Sequence, residues 1–199
     1  MSNIGYEQFM QWAKARQAEM EATIVSLTGQ LSAIAAEQQA RATAEAALAE
    51  MKKRRDLFRT QLEESQKRGA AVLEGVRKEL EKDWQMFETA TMRFFEDMKD
   101  SASAQREAFR VRSEAQAAAW KSAIDGFQKD SVALQDTARK QADAWLEQTK
   151  TQAKAAREKL DEAAKVQSDN WQVFSRALTE SRSAFDEALR KSMDAFKTS

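Results

Sequence analysis

The chain has 199 residues, with 32 basic and 32 acidic side chains that cancel, five Gly, and no Pro, Cys or His. Without His and Cys it lacks the usual ligands of zinc, haem and iron–sulfur centres, and the usual catalytic bases and thiol nucleophiles. Neither a cofactor, a metal nor an enzymatic activity is therefore expected.

Leu, Ile, Val and Phe number 33, about 17% of the chain, whereas Ala alone contributes 37. So few large apolar side chains make an ordinary layered core hard to fill. Zero net charge argues against disorder, and Ala, Gln, Glu, Lys and Arg are all strong helix formers. The expected fold class is all-α: very long amphipathic helices, as a coiled coil or an extended helical hairpin or bundle, covering their stripes by self-association. Charge is balanced along the chain, with 10 basic and 9 acidic residues in 1–68 and 22 and 23 in 69–199. A nucleic-acid partner is not expected from such a distribution. Met1–Gly5 opens no signal-peptide pattern. The longest apolar-leaning stretch, Ile24–Ala36, is broken by Ser26, Thr28, Gln30 and Ser32, too polar to span a bilayer. The expected location is cytoplasmic, with a position peripheral to a membrane or granule as the alternative.

In chain order, the first helix is predicted to start near Ser2–Asn3 or just after Gly5, with Tyr6, Phe9, Met10 and Ala13 on one side. Met20, Ile24, Leu27, Leu31 and Ile34 follow at steps of 4, 3, 4 and 3, an a/d seam over two heptads. Ala35–Ala49 then holds eight Ala, a surface for close helix packing or a connecting rod. The seam resumes in the same phase at Leu48 and continues through Met51, Phe58, Leu62, Val72, Val76, Leu80, Trp84 and Phe87. Residues 1–68 read as one N-terminal long helix with this heptad-like seam, and residues 69–199 as a second, extended helical region. Lys52, Lys53, Arg54 and Arg55 form the one basic run. It is a candidate contact for phosphate or an anionic surface, although consecutive positions spread around a helix and suit a solvated face. Gly69 and Gly75 mark the best candidate for a reversal near 66–76.

The second region carries an aromatic repeat. Phe95, Trp120, Trp145, Trp171 and Phe196 follow one another at steps of 25, 25, 26 and 25, and Trp84, Phe109, Leu134, Leu160 and Phe185 at the same steps. This period is seven helical turns at about 3.57 residues per turn, which keeps both series on one face of a helix. Each unit would run roughly 37 Å if helical. These ten residues with Phe127 form the candidate assembly or surface-docking face. Polar spots at Asp100–Ser103 and Ser168–Asn170 could cap new helices. The extra residue between Trp145 and Leu160 reads as a phase slip within a helix.

The expected function is non-enzymatic: a scaffold, filament or coat subunit that assembles with copies of itself through this periodic face. One alternative is a peripheral amphipathic coat on a lipid membrane, gas vesicle or hydrophobic granule. Another is a coiled-coil adaptor for a helical protein partner. In its Ala-rich amphipathic style the chain resembles granule-coating phasins and the helical outer-coat proteins of gas vesicles. That compositional resemblance implies a coat and assigns no residue.

Overall fold

Long runs of helix-forming residues without Pro give helices well beyond the usual three turns. The computed structural model describes residues 3–31, 38–68, 73–97, 102–132, 136–165 and 171–197. These form α1 (Asn3–Leu31), α2 (Gln38–Arg68), α3 (Leu73–Asp97), α4 (Ala102–Ser131), α5 (Asp136–Lys165) and α6 (Trp171–Lys197). Among the described residues no strand occurs. The protein is all-α.

The expectation of very long coiled-coil helices is corrected: the six helices have 25 to 31 residues and pack as a bundle. Residues 1–68 carry two helices, α1 and α2, in place of one. The pattern concealed this break because Leu48 falls two heptads after Ile34, so the phase continues from one helix to the next. Neither Pro nor a turn dipeptide announces the change.

Between consecutive helices lie only four to six residues, a reach of about 20 Å at most against a helix length near 40 Å. Helices that pack against their neighbours in sequence must therefore run antiparallel. The side-chain pairs agree. Trp12 meets Phe58, and Glu21 meets Arg55, across α1 and α2. Arg54 meets Asp83, and Met51 meets Thr91, across α2 and α3. By contrast α4 and α6 run parallel, since Phe109 pairs with Phe174 and, further along both helices, Trp120 pairs with Phe185 at the same sequence offset.

Helix α1 is central, packing on α2, α3, α4 and α6. Its most extensive packing is on α4, while α2 packs chiefly on α3 and α5 chiefly on α6. One hydrophobic cluster draws on all six helices. It runs continuously across the boundary between residues 68 and 69.

The aromatic repeat takes a different form from the one its spacing suggested. Phe95 lies on α3, Trp120 on α4, Trp145 on α5 and Trp171 on α6, so its first three steps cross from helix to helix. A face along one continuous helix is replaced by rungs between neighbouring helices. Within single helices the stripe does hold. Phe109, Trp120 and Phe127 are all buried on α4, as are Trp171, Phe174, Leu178 and Phe185 on α6. The phase slip between Trp145 and Leu160 falls inside α5, which is uninterrupted there. Gly69, Asp100–Ser101 and Ser168–Asn170 lie outside the described residues.

Candidate functional site

The residues singled out by the pattern are mostly interior. Trp84, Phe95, Phe109, Trp120, Phe127, Trp145, Leu160, Trp171 and Phe185 are all buried, as are Met20, Ile24, Leu27 and Leu31 of the seam. Ile34 and Leu134 lie outside the described residues, and so does the side chain of Phe196. The rings form rungs: Phe95 on Trp171 at 4.2 Å between centroids, Phe109 on Phe174 at 4.6 Å, Trp120 on Phe185 at 5.0 Å and Phe127 on Trp145 at 4.4 Å. These separations are typical of favourable aromatic pairs.

The basic run does not form one patch. Arg54 bonds Glu50 on its own helix and Asp83 on α3, and Arg55 reaches Glu21 on α1. Both arginines hold helices together. Lys53 is exposed and Lys52 is half-buried.

The most unusual chemistry lies between these apolar layers, in a buried cluster of charge. Glu19 on α1 is its hub. Its Oε1 accepts from Arg112 Nε at 2.8 Å, and its Oε2 accepts from Gln116 Nε2 at 3.1 Å. Gln116 also donates to the Leu178 carbonyl at 3.1 Å, tying α4 to α6. Arg182 Nε on α6 lies 3.4 Å from Glu19 Oε2. Glu88 on α3 accepts a short bond from Arg112 Nη2 and lies 3.6 Å from Arg182 Nη2. Beside them Arg16 donates to Asp186 at 2.6 Å. Three guanidinium groups, those of Arg16, Arg112 and Arg182, lie 5.2, 5.8 and 4.8 Å from the ring centre of Trp84, within cation–π range.

Burial and charge compete at each group. For Glu19, burial pushes the carboxyl up, but Arg182, Arg112 and Arg16 together outweigh it and hold it below its usual range. Asp186 goes the other way: burial raises it, and Arg16 only partly offsets the rise. Burial lowers Arg16 below its ordinary value despite Asp186 and Glu19. For Arg112, burial works against the charge, yet Glu88 and Glu19 prevail and raise it.

No protein-family model matches the chain, and no curated protein or solved structure gives a match.

Pattern reasoning missed this cluster, although a signal was present. Phe109, Arg112, Gln116 and Trp120 step by 3, 4 and 4, and Leu178, Arg182 and Phe185 step by 4 and 3. Charged and polar residues thus occupy stripe positions that are apolar elsewhere. A cavity beside the cluster, lined in part by Arg16, Glu19, Gln116, Ser181 and Arg182, holds about 10 Å³, room for about one water. The larger hollow between α2 and α3, about 350 Å³, is lined by Thr43, Ala46, Ala47, Glu50, Met86, Thr89, Ala90 and Arg93. Its lining is mostly small side chains with one acid and one base. Among the described residues no helix is long and apolar enough to cross a membrane.

Proposed function

We propose that this chain is a non-enzymatic coat protein, peripheral to a lipid or hydrophobic granule surface, whose bundle stores amphipathic helices and opens to lay them on that surface. One observation carries the reading. The aromatic faces of the helices are turned inward onto other helices of the same chain, while large apolar residues on the outside are scattered singly, as at Val25, Leu57, Met86, Val132 and Val173. Helices such as α3 and α6, with Trp and Phe on the buried face and charges on the other, suit an interface once they separate.

The scaffold reading has its own support in the parallel pair α4 and α6. Rungs at one constant offset could equally form between two copies that exchange helices. In both readings the apolar faces act only after the bundle opens.

The test uses the absence of Cys. The side-chain ends of Gln11 on α1 and Ser122 on α4 meet at 3.5 Å, so in a Gln11→Cys/Ser122→Cys variant a short bis-methanethiosulfonate linker, held to each thiol by a reducible disulfide, can tie α1 to α4. The wild-type chain is expected to float with phospholipid-coated triolein droplets. The cross-linked variant should stay behind and bind again after reduction releases the linker. Wild-type chain that never binds droplets contradicts the coat, and concentration-dependent oligomers formed without droplets would favour the scaffold.

A further inference from the structure

We propose that the bundle binds one internal water molecule where α1, α4 and α6 meet, held by Arg16, Gln116, Trp120, Ser181 and Arg182. The site stands whether or not the bundle opens on a surface.

Polar atoms without a partner converge at this point. The small cavity beside the charged cluster is walled by residues of α1, α4 and α6. Five of them carry buried side-chain atoms with no hydrogen-bond partner in the protein: Arg16 Nε, Gln116 Oε1, Trp120 Nε1, Ser181 Oγ, and both Nε and Nη2 of Arg182. All five residues are less than a tenth exposed. A buried donor or acceptor left dry loses the hydrogen bond it had to water in the unfolded chain. So many around one cavity mark a polar site.

Size and charge select its occupant. A volume of about 10 Å³ has room for one water and none for an organic ligand. The guanidinium groups of Arg16 and Arg182 repel a cation. A halide would find donors, but the Glu19 carboxylate lines the same cavity and repels it. Gln116 adds an acceptor: its Nε2 is committed to Glu19 and the Leu178 carbonyl, which leaves Oε1 in need of a donor. Water meets both demands, accepting from Arg16, Arg182 or Trp120 while donating to Gln116 Oε1 and Ser181 Oγ. Internal waters usually make about three such bonds. Held in this way, the water ties three helices together at one point.

Magnetic resonance of the full chain in solution tests the proposal. The Trp120 indole proton, assigned with Trp120→Phe, should cross-relax with water, with opposite signs in laboratory-frame and rotating-frame spectra. That sign pattern marks dipolar contact with a bound water, whereas chemical exchange gives the same sign in both. The peak should persist in Ser181→Ala, which rules out relay through the Ser181 hydroxyl. Oxygen-17 relaxation dispersion should lose the contribution of one long-lived water in Ala15→Val or Ala119→Val, both of which add methyl groups at the cavity wall. Two fillers keep this measurement available if one does not fold, and the Trp120 peak requires neither. Exchanging chloride for gluconate at constant ionic strength should leave the urea midpoint unchanged. Absence of the Trp120 peak, its loss in Ser181→Ala, or unchanged dispersion in a folded filler would overturn the proposal. A midpoint that rises with chloride would also overturn it, by giving the site to an anion.

Discussion

Glu19 shows how much one buried carboxylate can organise. It is 1% exposed and contacts Arg112 and Gln116 on α4 and Arg182 on α6. Glu19→Ala removes a counter-charge that the buried Arg112 and Arg182 share and is expected to cost about 3–5 kcal/mol of stability in urea unfolding. Replacing Glu19, Arg112 and Arg182 together by Leu, Met and Leu should recover most of that loss, because a buried ion network is often no more stabilising than apolar packing. The acid limb of stability follows from two carboxyls of opposite behaviour. The folded Glu19 is depressed, so its contribution is complete above the unfolded value near 4.5 and is lost as pH falls through its lower folded value. Asp186 is raised above 3.8 in the fold, so its contribution is greatest below that value and fades as pH rises through the raised one. Glu19→Gln should accordingly flatten the loss of stability between neutral and acid pH, and Asp186→Asn should steepen it. Urea titrations at a series of pH values check both signs.

Among the elements, helix existence and the buried stripes were legible because the apolar steps of 3 and 4 persist and nothing in the composition opposes a helix. The reversals were not legible. A heptad phase that continues from Ile34 to Leu48 looks the same whether the chain goes straight on or turns back, and the regular aromatic steps were shared among four helices. The charged cluster was half legible, since Arg112 and Arg182 stand in the stripe. Their shared partners Glu19 and Glu88 belong to α1 and α3, and only tertiary packing brings them together. The stripe itself predicts graded stability effects. Trp120→Ala should cost about 3–5 kcal/mol, whereas Val25→Ala, at a site 70% exposed, should stay within about 0.5 kcal/mol in the same assay. The glycines within helices α3 and α4 offer the opposite change. A Cβ at Gly75 meets nothing within 4 Å, and one at Gly126 makes an ordinary contact with Gln11 Nε2 at 3.6 Å. Gly75→Ala and Gly126→Ala should each stabilise by about 0.4–1 kcal/mol, read as a higher urea midpoint.

For the whole molecule, the arrangement is a bundle of six helices with α1 at its centre and most of the aromatic rings inside. Ion pairs along the outside, such as Arg110 with Glu107 and Glu114, offset part of the surface charge and contribute little each to stability. Aromatic rungs and the buried ionic cluster both tie helices to one another. On the coat proposal the bundle keeps its helices while exchanging what their inner faces touch. The most direct test of that account is the distance between spin labels placed at Gln11 and Ser122, measured by pulsed electron resonance with and without phospholipid-coated droplets. The two labels should lie close together in solution and move apart to about 40 Å or more, a full helix length, on the droplet surface. Droplet-bound chain whose labels stay close together would contradict it.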